Sequence, residues 1–113
     1  MNKLIKVVNK FNGNFCFAGI TDDGNYIFEC DREDGTLSFV NTSQLITDVC
    51  LNNANSYLVA FGNSWLGKFE NGVLNEEYVD TGFTKVEKVV KSTENEIYII
   101  DSDVNQLIKI IVT

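Results

Sequence analysis

Between Ile46 and Tyr78 the chain alternates short apolar runs with turn residues, and this pattern constrains it more than anything else. The runs are Ile46–Cys50, Ser56–Gly62, Trp65–Glu70 and Val73–Val79, and Asn71-Gly72 separates the last two. Runs this short, bounded by Gly, Asn and Ser, read as strands, and an Asn-Gly pair between two of them asks for a type I′ hairpin. The stretch is one four-stranded antiparallel meander. Val73–Val79 is the nearest approach to a helical pattern, but its place directly after Asn-Gly favours a strand.

The same unit is traced before and after it. Leu4, Val7 and Val8 correspond to Ile46, Val49 and Cys50, and again to Val86, Val89 and Val90. Phe15, Tyr57 and Ile97 each follow at the same offset. The period is about 40 residues, the length of one four-stranded propeller blade. The first unit (4–44) runs through Leu4–Val8, Phe15–Ala18, Tyr26–Phe28 and Leu37–Val40, with turns at Asp22-Asp23-Gly24 and Asp34-Gly35. The second occupies 45–84. The third (85–113) offers Val86–Val90, Ile97–Ile100 and Leu107–Val112, and lacks a fourth strand. Asn-rich corners lie between first and second strands, with Asn12 and Asn14 at the polar 9–13 corner, then Asn53 and Asn55, and Asn95. The expected fold is one all-β domain over residues 1–113, built of about three propeller-like blades. A compact β-sandwich or open barrel is the alternative.

Residues 95–110, NEIYIIDSDVNQLIKI, resemble a blade of the NHL class of β-propellers. The shared features are an apolar second strand ending in Asp101, a polar turn with Asn105, and a third strand carrying a basic residue. The resemblance covers about sixteen residues and is only general elsewhere. It implies a ring of about six blades that binds proteins or RNA, with some relatives being enzymes. Three blades cannot close such a ring. A homo-oligomer is therefore expected, two chains giving six blades, with Leu107–Val112 buried in the assembly.

Composition narrows the partners. The 113 residues are 44% hydrophobic and 22% charged, with a formal net charge of −7, ordinary for a globular protein. The nine basic residues are scattered singly, which argues against nucleic acid and against an anionic membrane. No apolar run approaches a membrane span and the N-terminus lacks a signal-peptide core, so the cytoplasm is the expected compartment. The acidic balance suits a basic partner.

Catalytic chemistry finds little footing. His is absent, which removes the commonest general base and metal ligand and leaves Ser43 and Ser64 without an activating imidazole. Cys16, Cys30 and Cys50 sit inside apolar runs, an odd number with no close pair, and read as small hydrophobes. Asp101-Ser102-Asp103-Val104-Asn105 copies the start of a calcium loop. Gln106 stands where that loop needs Gly, and Val112 where it needs a bidentate Glu, so an Asx-rich hairpin turn is the simpler reading. Gly19, Gly62 and Gly67 match no phosphate-binding spacing and fit tight turns or close strand packing. No cofactor or metal is expected, and an enzyme ranks last.

The expected function is a non-enzymatic interaction module. The Asn-rich, His-free and Pro-free composition suggests a viral or phage accessory or virion protein. A small-ligand or carbohydrate binder is the alternative. In a propeller, loops from second to third strands share one face with loops from fourth strands to the next blade. Here they hold Asp22, Asp23, Asn63, Ser64, Asp80, Asp101 and Asp103, with Trp65 beside them. An aromatic flanked by carboxylates suits a basic protein surface.

Overall fold

A computed structural model describes residues 3–10 and 12–112. Part of the 9–13 corner and the first two residues of the N-terminal flank lie outside the described residues. Eleven strands and no helix make up the described chain: β1 (Lys3–Asn9), β2 (Phe15–Thr21), β3 (Gly24–Cys30), β4 (Leu37–Thr42), β5 (Asp48–Leu51), β6 (Ser56–Ala60), β7 (Trp65–Glu70), β8 (Val73–Asp80), β9 (Val86–Lys91), β10 (Glu96–Asp101) and β11 (Gln106–Ile111). They form three antiparallel meanders, β1-β2-β3-β4, β5-β6-β7-β8 and β9-β10-β11, called here sheets I, II and III. None of them closes into a barrel. The third meander stops one strand short of the others.

The turns follow from their residues. Asn71 and Gly72 take φ of 51° and 75°, the two left-handed positions of a type I′ turn. The hairpins after β3 and β10 share a wider loop, in which Gly35 (φ 72°) and Asn105 (φ 53°) supply the left-handed residue. In each, that residue's N–H donates to the carbonyl of the aspartate opening the loop, Asp31 or Asp101, at 2.9 and 2.7 Å. The same aspartate's Oδ1 accepts from the N–H groups two and three residues on. Among the corners between first and second strands, Asn53 Oδ1 accepts from Asn55 N and Ser56 Oγ.

The first strands β1, β5 and β9 lie side by side, with β5 packed between the other two. Sheet II is thereby sandwiched, and two apolar layers result. Between sheets I and II, Cys16, Ala18 and Ile27 meet Val49, Tyr57, Val59 and Phe69. Between II and III, Cys50, Leu58, Ala60 and Leu66 meet Val86, Val89, Ile97 and Ile99. Alternation along each strand sends neighbouring residues to opposite layers. The whole is a slab with extents of 41 × 32 × 19 Å.

Two carboxylates, Asp48 buried and Glu29 half-buried, fix the sheets relative to one another. Asp48, at the start of β5, accepts from Lys6 Nζ on β1 and from its neighbour Val49 N through Oδ1, and from Val89 N on β9 through Oδ2, all at 2.9 Å. One carboxylate thus joins the first strand of every sheet. Near the opposite end, Glu29 of sheet I takes Lys10 Nζ at 2.6 Å and Tyr57 Oη of sheet II at 2.9 Å. Lys10 Nζ also lies 5.2 Å from the centre of the Tyr57 ring.

In the single chain β11 is covered on one face. Ile108 and Ile110 are half-buried toward sheet II, while Leu107, Lys109 and Ile111 face solvent. The reason is that sheet III has a neighbour on one side only.

Candidate interaction face

The loops after β2, β4, β6, β8 and β10 gather at one end of the slab, and hydrogen bonds tie most of them together. Gly62 N donates to Val86 O, Val86 N to Asn63 O, and Thr81 N and Oγ1 both to Ser64 O. Asn63 Nδ2 donates to Gln44 Oε1, joining the β4–β5 and β6–β7 loops. Asn63 Oδ1 accepts from Trp65 N at 2.8 Å, which sets the entry into β7. Gly62 (φ 72°) permits the reversal that these contacts need.

The residues expected to bind a partner occupy this end in two layers. Asp22, Asp23, Asp80 and Asp103 are exposed, while Asn63, Ser64 and Trp65 are half-buried at the start of β7. Asp101 is interior, 1% exposed. Its Oδ2 accepts from Lys85 N at 2.9 Å, and its Oδ1 from Asp103 N and Val104 N. These donors, that of Lys85 foremost, hold its carboxyl below the usual carboxylate range. Asp101 therefore cannot meet a partner directly; it anchors the β8–β9 linker to the β10–β11 turn. Asp103 is held by Thr84 Oγ1 and lies 3.6 Å from Lys85 Nζ, both in solvent.

The face is not acidic throughout. Toward the first strands, a depression of about 370 Å3 is lined by Lys3, Ile5, Leu45, Thr47, Glu87 and Lys88, among others. Carboxylates thus mark the outer loops, while Lys3, Lys88 and Glu87 share the inner rim. Sequence reasoning did not separate these, because Lys3 and Lys88 meet only when β1 and β9 flank β5.

Among the described residues no group of three or more His, Cys, Asp or Glu is placed to hold a metal ion. Ser102 to Asn105 form a hairpin turn whose opening carboxylate is already satisfied by backbone N–H groups. Burial pushes the Cys16 thiol far up, and pushes Cys50 up to about 11. Neither is a nucleophile near neutral pH. No described helix is long and apolar enough to cross a membrane.

What sequence reasoning missed is the state of the two end sheets. Sheet I turns Phe15, Phe17, Tyr26, Phe28 and Phe39 outward as a continuous aromatic surface, with the Phe17 and Phe28 rings stacked at 4.7 Å and the Phe28 and Phe39 rings tilted, 5.9 Å apart. Sheet III turns Val90, Ile100, Leu107 and Ile111 outward. The signal was present as alternation in FCFAG and YIFEC, and needed the packing order to be interpreted. No protein-family model matches the chain, and no curated protein matches it.

Proposed function

We propose that the chain is half of a six-bladed propeller, which closes by pairing head to tail with a second copy and serves as a non-enzymatic scaffold for protein binding. One observation carries this reading. Val7, Val49 and Val89 are equivalent in the repeat, and their exposures are 50%, 0% and 3%. Only the one with no preceding sheet is exposed. At the next position, Cys50 is 7% exposed and Val90 54%, while Val8 packs against sheet II. Here only the one with no following sheet is exposed. The open face of sheet I is thus equivalent to faces that sheets II and III use internally, and the open face of sheet III to those of I and II. Each is the natural complement of the other on a second copy, a heterologous contact that closes if the rotation per sheet is regular. Apolar surface of this extent on a monomer marks an interface.

Light scattering at micromolar concentration tests this. The expected mass is twice 12.7 kDa. Phe17→Asp and Ile100→Asp, on opposite contact surfaces, should each give a folded monomer. A wild-type monomer, or an open-ended polymer, overturns the closed pair.

In that ring the outer loops with Asp22, Asp23, Asp80 and Asp103, beside Trp65, form the face for a basic protein partner. Its rigidity supports the reading, since loops fixed by mutual hydrogen bonds bind with little ordering cost. Association should slow as salt rises. With a partner in hand, Trp65→Ala and the pair Asp80→Asn, Asp103→Asn should weaken binding; unchanged binding places the site elsewhere.

A further inference from the structure

The three sheets meet at two junctions built from equivalent positions, and at the end opposite the outer loops the two are filled differently. Lys10, Leu51 and Tyr57 of the I–II junction correspond in the repeat to Asn52, Lys91 and Ile97 of the II–III junction. Between sheets I and II the Tyr57 side chain fills the space, buried, with Lys10 Nζ over its ring and Glu29 accepting from its hydroxyl. Between sheets II and III, Ile97 carries no ring and a cleft remains. It comprises two adjoining depressions of about 280 and 320 Å3, both lined by Asn52, Asn53, Lys91 and Glu94. Together they reach the size of small-ligand sites, roughly 300 Å3 and upward.

The walls of this cleft are polar groups with hydrogen-bonding capacity left over. Asn52 is engaged, since its Oδ1 accepts from Lys91 Nζ at 2.9 Å and its Nδ2 donates to Ser56 Oγ at 2.8 Å. The first bond fixes the lysine and leaves two of its three N–H donors. Asn53 Oδ1 is bonded within its own corner, but its Nδ2 has no partner among the described residues, and neither do the side chains of Glu94 and Asn95. Tyr78 supplies an aromatic wall. The register of β8 against β7 slips between Leu66 and Lys68, and Tyr78 falls within the slip, exposed along the cleft with its ring 4.9 Å from Lys68 Nζ.

We propose that the cleft between sheets II and III is a binding site for a neutral hexopyranose, whose ring takes the place that Tyr57 fills between sheets I and II. Vicinal hydroxyls both donate and accept, and the cleft offers both partners. Asn53 Nδ2, Lys91 Nζ and the Asn95 amide donate, while the Glu94 carboxylate and Asn95 Oδ1 accept. The C–H face of the sugar packs on the Tyr78 ring. Glu94 beside a lysine that is already engaged disfavours an anionic ligand, as does the net charge of −7. The cleft lies within one chain and at the end away from the outer loops. Sugar binding therefore needs no ring closure and leaves the protein-binding face free.

The full chain, isotopically labelled for NMR, is titrated with the methyl pyranosides of glucose, galactose and mannose and with N-acetylglucosamine. One or more of these should give saturable shifts at Asn53, Lys91, Glu94 and Asn95, with a dissociation constant of about 1 mM and the outer loops unmoved. Glu94→Ala and Asn95→Ala, both at exposed corner positions, should each raise that constant about tenfold. Ile97→Tyr carries the ring of the first junction into the second and should abolish binding. If that variant fails to fold, the two corner variants still decide the matter. No saturable shift with any of these sugars, or corner variants that bind as wild type does, overturns the proposal. So do shifts that grow linearly with sugar over the whole surface. Saturation by glucose 6-phosphate and by none of the neutral sugars overturns it in favour of an anion site.

Discussion

Asp48→Ala should be among the most damaging single changes in this protein, although the residue belongs to no binding face. The side chain is 3% exposed and accepts from Lys6 Nζ, Val49 N and Val89 N. Truncation leaves the two backbone N–H groups without an acceptor inside the packed first strands. Each such loss costs about 2 kcal/mol, giving about 4 kcal/mol together. Loss of the Lys6 contact adds less than about 1 kcal/mol, because the Lys6 side chain is 43% exposed and screened. Against a total stability on the order of 10 kcal/mol, this lowers Tm by roughly 15 °C. Asp48→Asn should cost about half as much, since its oxygen replaces one acceptor while its amide opposes an N–H. Urea unfolding in an Ile100→Asp background measures these values without a contribution from association. Lys6→Ala serves as control, with an expected loss under about 1 kcal/mol. A cost below about 1 kcal/mol for Asp48→Ala would refute the reasoning, by showing that water or relaxed backbone satisfies both N–H groups.

Lys10→Ala should destabilise by about 3–5 kcal/mol, because it strands the Glu29 carboxylate between sheets, and Tyr57→Phe by about 1 kcal/mol; chemical denaturation reads both. At pH 8 a thiol reagent should modify half-buried Cys30 quickly and leave Cys16 and Cys50 intact until unfolding, as mass spectrometry would show. Gly67→Ala should cost about 1–3 kcal/mol, since a Cβ there would lie 2.8 Å from the Phe61 ring and 3.0 Å from the Asn75 carbonyl. The lowered Asp101 carboxyl contributes stability that is present above its unfolded value near 3.8 and lost as pH falls through the folded value. Melting curves from pH 5 down to pH 2 should therefore fall less steeply for Asp101→Asn than for wild type.

The local code of this chain is legible in its residues. Alternating apolar runs, Asn71-Gly72 at a two-residue hairpin, and a period of about 40 residues are enough to place eleven strands in three meanders, the last one short. Those features act within a few residues, through side-chain alternation and left-handed turn positions, so sequence carries them directly. The boundaries moved only slightly; β5 begins at Asp48 rather than Ile46, because Thr47 N already bonds to Ala60 O as the chain enters the sheet. Tertiary structure alone decided what each polar residue does. Asp48 and Asp101 look like turn or surface carboxylates, yet both are interior acceptors, because the groups that satisfy them come from strands and linkers far away in the chain. It also decided which apolar residues remain open: Val7 and Val49 are alike in sequence, and only the stacking order of the sheets buries one and leaves the other at the surface.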